Sequence, residues 1–156
     1  MKRTAKDILE EKGGHMVTIS SDASVYQALT LMTQNRVGSV VVTEDDKIVG
    51  IYTERDLMFH ALEEGFDAKT ARIKDHMSEN LISANVSDQA LELSDKFLGR
   101  RIRHLLIEEG GDYIGLLSVG DVMKANLQQK MEELEELNHI VSLEYYENWK
   151  EVQAEK

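Results

Sequence analysis

Cysteine and proline are both absent from this sequence of 156 residues. Without cysteine, the chain can form no disulfide bond and offers no thiolate nucleophile or zinc-thiolate ligand. Long hydrophobic runs are absent too, because the longest aliphatic run, residues 40–42, is far too short to cross a membrane. The N-terminal residues have no apolar segment behind them, so we expect no secretory signal. We expect a cytoplasmic protein that does not bind membranes.

Positive charge is also scarce, because 18 Lys and Arg residues stand against 29 Asp and Glu residues, for a net charge of −11. Such a chain has no excess of cations with which to release the counterions of a phosphate backbone, which argues against nucleic-acid binding. The same deficit argues against docking on anionic lipid. The length suits one domain or two small ones, with a core that needs no disulfides.

The sequence repeats itself with a shift of 65 residues, and residues 16–58 align with residues 81–123 without a gap. The identical pairs include Arg36 and Arg101, Gly50 and Gly115, Asp56 and Asp121, and Met58 and Met123. A shorter echo precedes each unit, residues 6–9 in the first and residues 74–77 in the second. Each unit alone is too short for a good core, so we expect the two units to pack face to face.

Each unit is predicted to fold in the order strand, helix, strand, strand, helix, which gives an α+β fold class. In the first unit, a short extended segment at residues 17–19 precedes a helix that starts at Asp22 and has one apolar face. The continuous β-branched run at residues 37–42 predicts a buried strand, and residues 48–52 predict its hairpin partner. The pair of glycines at 110–111 predicts the hairpin turn of the second unit.

Three segments follow from this pattern: a first domain in residues 1–70, a second in residues 71–126 and a helical extension in residues 127–156. Residues 125–149 contain no glycine, and their apolar residues follow a four-three spacing interrupted by Asn138. Those apolar residues are Leu127, Met131, Leu134, Val141 and Tyr145. The helix either packs back on its own domain or forms a dimer seam in which Asn138 is a buried polar residue.

A hydroxyl residue followed three positions later by aspartate occurs at matched points of the two units, as Thr53 with Asp56 and Ser118 with Asp121. This spacing is that of a capping box, which satisfies backbone donors at a helix N-terminus. It also suits ligand binding, because the carboxylate can accept hydrogen bonds from a vicinal diol such as that of ribose, while the free helix amides face phosphate. Both interpretations are open on spacing alone.

The two units resemble a tandem pair of cystathionine-β-synthase (CBS) domains, a nucleotide-sensing module. The resemblance is carried by residues 36–42 and 49–56 in the first unit and by residues 101–107 and 114–121 in the second. It extends from about Ala5 to Asn126. The sequence departs from the family at Leu106, where a proline is common, which affects backbone stiffness more than ligand contacts.

The resemblance implies two clefts between the domains, each able to hold an adenosine-containing ligand. By position, Asp56 and Asp121 would hold the ribose hydroxyls of the two ligands. Thr53 and Ser118 would bond ribose or phosphate.

The resemblance also implies roles for the strands that enter the clefts. The extended segments at Val17 and Thr18 and at Ile82 and Ser83 would offer backbone groups and apolar contact to adenine. Arg103 and His104 match positions that face phosphate, and Arg55 is an additional cation in the first box. Simpler roles are open as well, since Arg103 could pair with a surface acid and His104 could be an interface histidine. Val17 and Ile82 are core residues in either case.

By this resemblance, the function is that of a regulatory module which senses an adenosyl nucleotide. The predicted cations favour a phosphorylated ligand over a sulfonium compound, so AMP is our first choice, with ADP, ATP and NAD as alternatives. The nucleotide is a regulatory ligand and no cofactor is required. We expect no catalytic activity, because the sequence has neither a nucleophile elbow nor a phosphate loop, and no metal site, because the other histidines lack ligand spacing. We expect a homodimer with an unidentified protein target.

The alternative function is that of a structural or interaction protein whose ligand sites are vestigial. Such a protein would act through its C-terminal helix, where Tyr145, Tyr146 and Trp149 could anchor a partner, since aromatic residues are enriched at interfaces. The two functions differ in whether the protein binds a nucleotide.

Overall fold

The computed structural model describes residues 2–154, with side chains as far as residue 142. Its helices are α1 (Ala5–Lys12), α2 (Val25–Asn35), α3 (Glu54–His60), α4 (Ala90–Arg100) and α5 (Val119–Ala154), with a short 3₁₀ helix at Ile73–Asp75. Its strands are β1 (Thr18–Ser20), β2 (Ser39–Glu44), β3 (Lys47–Thr53), β4 (Ser83–Asn85), β5 (His104–Glu109) and β6 (Asp112–Ser118). The α+β fold with two repeats is therefore confirmed.

Two three-stranded sheets, one in each repeat, have the same topology and the same register. The strand orders are β1-β2-β3 and β4-β5-β6, with the first pair of each sheet parallel and the second antiparallel. Thr18 pairs with Val41, and Ser83 pairs with Leu106, which are the positions related by the 65-residue shift. The repeat read from the sequence is thus a repeat of backbone hydrogen bonding.

Local chemistry moves several boundaries away from the sequence predictions. The helix expected from Asp22 starts at Val25, because the Ser24 hydroxyl accepts a hydrogen bond from the backbone N–H of Gln27 (3.1 Å) and caps it. The strand expected from Val37 starts at Ser39, because Arg36 adopts a left-handed conformation (φ 54°) that ends α2. Val37 is consequently 37% exposed rather than buried in a strand.

The two repeats exchange short segments, so that each completes the core of the other. Ile8 and Leu9 of α1 belong to the buried cluster formed by α4, β5, β6 and the start of α5 in the second repeat. Conversely, Ile73 is fully buried in the first-repeat cluster, and Met77 packs against that cluster. The domain limits predicted at residues 70 and 71 therefore describe the order of the sequence but not the packing of the cores.

Two glycines make room for the exchanged segments. A Cβ at Gly115 in β6 would lie 2.5 Å from Cδ2 of Leu9, and a Cβ at Gly50 in β3 would lie 2.8 Å from Cγ of Met77. Both distances are shorter than any tolerable carbon contact. The short echo in the sequence is therefore explained, because Leu9 and Met77 occupy matching places against the repeat-related glycines.

Helix α5 runs without interruption from the second repeat into the C-terminal segment, so the predicted limit at residue 126 falls inside one helix. Val122 and Ala125 are buried, whereas Leu127, Leu134 and Val141 are each more than half exposed. The predicted stripe therefore does not pack back on its own domain as far as the side chains are described. Tyr145, Tyr146 and Trp149 lie outside that range. Within residues 2–154, none of the helices has both the length and the apolar character needed to cross a membrane.

Candidate functional site

Two cavities lie between the repeats and are related by the internal symmetry. The first cleft, of about 300 Å³, lies between the box at 53–56, residues 78–82 ahead of β4 and residues 102–104 at the start of β5. The second cleft, of about 270 Å³, lies between the box residues Ser118 and Asp121, residues 15–17 ahead of β1 and residues 36–39 at the start of β2. Each cleft thus takes its carboxylate from one repeat and its opposite wall largely from the other.

Both boxes form the hydrogen bonds of a helix cap. The backbone N–H and the hydroxyl of Thr53 both donate to Oδ2 of Asp56, at 2.8 Å each. Ser118 donates in the same way to Oδ2 of Asp121, at 2.7 and 2.8 Å. Thr4 and Asp7 form the same box at the start of α1, outside both clefts. All three boxes therefore form helix caps. Asp56 and Asp121 differ from Asp7 because they also line a cavity.

The two clefts differ in what faces the carboxylate. In the second cleft, Nζ of Lys12 donates to Oδ2 of Asp121 (2.8 Å) and to the backbone carbonyl of Leu116 (3.0 Å). Burial acts to raise the pKa of Asp121, but the hydrogen bonds from Lys12 and Ser118 outweigh burial and hold that pKa below its ordinary value. In the first cleft, the matching wall presents the neutral amide of Asn80. Among the described residues, Asp56 has no ion-pair partner.

The residues predicted to face phosphate come together at the first cleft, which Arg55, Arg103 and His104 all line. Both arginines also contact other residues of the chain. Nη1 of Arg55 donates to the carbonyl oxygen of Arg101 (3.2 Å), which links the two repeats. Nη1 of Arg103 lies 3.6 Å from Oε1 of Glu54, and both side chains are well exposed. Such an exposed pair is weak and easily exchanged for a ligand.

His104 lines both clefts. Burial, together with the charges of Lys12 and Arg103, lowers the pKa of His104, while the charges of Glu54 and Asp121 raise it by less. The lowered pKa favours the neutral imidazole, so His104 does not supply the positive charge predicted for it, although one of its ring nitrogens can donate a hydrogen bond.

Most of the predicted site residues are brought together, and two are not. Val17 lines the second cleft and Ile82 lines the first, as partly buried residues that also pack against the cores. Thr18 and Ser83, the next residues along the strands, line neither cleft. Thr18 is exposed, and the hydroxyl of Ser83 donates to Oε2 of Glu108 (3.1 Å).

The sequence predictions missed Lys12, Arg36, Glu54 and Asn80, all of which line a cleft. A signal for two of them is present in the sequence. Lys12 and Asn80 each lie three residues after the short repeated segment, which ends at Leu9 in the first unit and at Met77 in the second. No group of three or more potential metal-ligating side chains comes together in the described part of the chain.

The ion pair between Lys12 and Asp121 predicts a pH-dependent stability. Because the pKa of Asp121 is lowered in the folded chain, its contribution is complete above the ordinary value of 3.8 and is lost as the pH falls through the lowered value. Both side chains are about one-third exposed or less, at 32% and 25%, so we expect Lys12→Met to cost about 1 kcal/mol of unfolding free energy at pH 7. Urea unfolding at pH 7 and at pH 3 measures the difference in unfolding free energy between Lys12→Met and the unmodified chain. We expect that difference to be smaller at pH 3.

Lys74→Met is the matched control, because Lys74 pairs with Asp22 (3.0 Å), whose side chain is 70% exposed. We expect that variant to lose much less stability than Lys12→Met, because solvent screens an exposed ion pair. A Lys12→Met deficit of the same size at pH 3 as at pH 7 would contradict the assignment of the lowered pKa to this pair.

Comparison with known proteins identifies the class of molecule that these clefts define. Residues 5–63 and 73–128 each match the model of the CBS domain family. The chain belongs to the CBS domain family, with two CBS domains in tandem. Proteins built from CBS pairs are generally regulatory modules that bind adenosyl ligands, and the stand-alone ones are typically not catalytic.

Individual relatives agree with this assignment. The mitochondrial CBS domain-containing protein CBSX3 of Arabidopsis thaliana is 33% identical over 144 residues, which cover 86% of this chain and 70% of CBSX3. A CBS-domain protein of Agrobacterium tumefaciens has a solved structure with 33% identity and a TM-score of 0.76, covering 81% of this chain and 95% of that one. A CBS-domain protein of Pyrobaculum aerophilum, solved in complex with AMP, shares the fold at 22% identity with a TM-score of 0.67, covering 76% of this chain and 89% of that one. Because one relative is mitochondrial, the cytoplasmic location stays a prediction.

Proposed function

We propose that the chain is a regulatory module that binds an adenine nucleotide, with AMP as the preferred ligand, and that it carries out no chemistry on that nucleotide. The observation that carries the proposal is the first cleft, which is lined by Arg103, His104 and the carboxylate of Asp56, for which the described part of the chain provides no ion-pair partner. A cavity with a ribose acceptor at one place and phosphate donors at another matches the polar groups of a nucleotide.

The walls of the first cleft support this orientation of the ligand. Ile51, Ile82, Ile102 and Leu106 give the cleft apolar surface on which an adenine ring can pack. Its volume of about 300 Å³ lies at the small end of the range for ligand pockets, which favours a mononucleotide over a dinucleotide such as NAD. The Pyrobaculum aerophilum protein of the same fold was solved with AMP, a ligand of this size class.

The second cleft is proposed to be the weaker site. A ribose diol can reach Asp121 there only by sharing or displacing the Lys12 ammonium, which already neutralises the carboxylate. The second cleft also contains Arg36, so it keeps positive charge for a phosphate group. We therefore propose that nucleotide fills the first cleft before the second.

A homodimer is part of the proposal. Met58 and Leu62 at the end of the first repeat are more than half exposed, and so are their counterparts Met123 and Leu127, 65 residues further on. Exposed apolar side chains that recur by the internal symmetry are candidates for a protein–protein interface, which supports a dimer. The protein that receives the regulatory signal stays unidentified.

Isothermal titration calorimetry of protein stripped of nucleotide tests the function. We expect saturable binding of AMP, with ATP, NAD and S-adenosylmethionine weaker. Arg103→Gln should weaken AMP about tenfold, because one charged hydrogen bond is lost, and should leave adenosine unaffected. Arg100→Gln, at the exposed end of α4, is the matched control and should bind AMP normally. Absence of heat with every nucleotide would overturn the proposal in favour of an interaction protein with vestigial sites.

A further inference from the structure

Helix α5 presents two opposite faces. Val122 and Ala125 are buried in the core of the second repeat. Leu134 lies nine residues after Ala125, which at about 100° per residue places it half a turn away, on the opposite side of the helix. The apolar stripe of α5 therefore faces away from the repeat that α5 belongs to.

Helix α1 does not cover this stripe either. Arg3, just before α1, bonds to α5 through Gln128, Gln129 and Glu132. Gln129 and Glu132 lie on the side of the helix opposite to Leu134, and Gln128 lies at the edge of the stripe. The contact with α1 therefore fixes α5 against the domain while its stripe stays exposed.

We propose that the α5 helices of two copies of this chain form a parallel, in-register, two-stranded coiled coil. The inference rests on the proposed homodimer and adds its geometry. The seam consists of Leu127, Met131, Leu134, Asn138 and Val141, whose spacings of four, three, four and three residues are those of heptad positions d, a, d, a and d. All five are exposed in the single chain, so a seam partner would bury a continuous stripe.

Asn138 favours a second copy as the occupant of the seam. A lone asparagine at an a position is costly beside an apolar residue, but it can hydrogen-bond with the same asparagine of an identical helix. This pairing occurs when two identical helices run parallel and in register, because a positions then face a positions. Asn138 thus selects both the partner and the orientation.

Charges beside the seam support the same arrangement. Lys130 occupies a g position and Glu135 the e position five residues later, so each Lys130 of a parallel dimer faces Glu135 of the other copy. Three further glutamates lie at outer positions, where Glu132 pairs with Arg3 and Glu133 pairs with Lys130 of the same chain, and Glu136 is exposed. An acidic helix can therefore pair with itself, with two symmetric ion pairs across the seam.

Disulfide trapping tests the inference, because the chain has no cysteine of its own. In the full-length chain, Met131→Cys and Asn138→Cys occupy successive a positions and should each form covalent dimers on mild oxidation. His139→Cys, exposed and outside the seam, is the matched control and should not. An antiparallel pair can bring at most one of the two seam positions against itself, so trapping at only one of them overturns the parallel arrangement.

Sedimentation equilibrium separates failure of this inference from failure of the homodimer. Val141→Asp should raise the dimer dissociation constant at least about tenfold, because it places charge in the seam, whereas Ile140→Asp, equally exposed but outside it, should change the constant less than about threefold. A dimer that neither traps nor responds to Val141→Asp overturns the coiled coil and leaves the homodimer intact. A monomeric native chain overturns both.

A charge exchange tests the orientation without touching the apolar seam. Lys130→Glu should weaken the dimer, because it sets like charges opposite each other, and adding Glu135→Lys in the same chain should restore the original dissociation constant. Failure of the second change to restore the dimer would contradict the parallel register.

Discussion

Asp56→Asn is expected to weaken AMP binding about 100-fold. The variant keeps the size of the side chain but removes the negative charge that would accept hydrogen bonds from both ribose hydroxyls. Two such charged hydrogen bonds, at about 1.5 kcal/mol each, amount to about 3 kcal/mol, which corresponds to that loss of affinity. Calorimetry on the nucleotide-free protein measures it directly.

Asp7→Asn is the matched control for this variant. Asp7 accepts hydrogen bonds from the backbone N–H (2.8 Å) and the hydroxyl (2.7 Å) of Thr4, which is nearly the geometry of Thr53 and Asp56, but it lies in neither cleft. Both variants should lose a similar amount of stability, about 1 kcal/mol, from the weakened cap, and only Asp56→Asn should lose affinity. If both bind AMP as the unmodified chain does, Asp56 is a helix cap and no more.

Ile8→Ala is expected to have the largest effect on stability. Ile8 is 3% exposed and lies in the core of the second repeat, although it precedes the first repeat in the sequence. Removing three carbons from such a site costs about 2–5 kcal/mol, which for a chain of this length lowers Tm by about 10 °C. Scanning calorimetry measures the shift.

Ile140→Ala is the matched control, because Ile140 is also helical but more than half exposed, outside the proposed seam. We expect it to change the unfolding free energy by less than about 0.5 kcal/mol. A normal Tm for Ile8→Ala would mean that α1 is dispensable for the second core, and the exchange of segments between the repeats would then carry little energy.

The matched positions of the two boxes could be predicted from the sequence because they follow from repetition, whereas the clefts were implied only by the resemblance to CBS domains. Each box stands at the same distance from its strands in both units, so one pattern placed Asp56 and Asp121 at equivalent places. The pattern could not decide between cap and ligand site, because the hydrogen bonds within the box are the same in both cases. That decision depends on whether the box lines a cavity, which is a property of the assembled repeats.

Lys12 could not be predicted because its role depends on a long-range exchange. The sequence places it near the first unit, whereas α1 packs on the second core and carries the ammonium to Asp121, 109 residues away. The C-terminal helix is a different case. Its apolar stripe was visible in the sequence, and the buried positions Val122 and Ala125 then fix which way the stripe faces.

The exchange of segments has a consequence for what can be cut from the protein. A single break in residues 61–72, between α3 and Ile73, would leave two fragments that each hold a piece of the other's core. Each fragment alone would lack part of its core, while the two together could rebuild both. We therefore expect the two repeats to unfold together as one cooperative unit. A ligand bound in either cleft then stabilises both repeats.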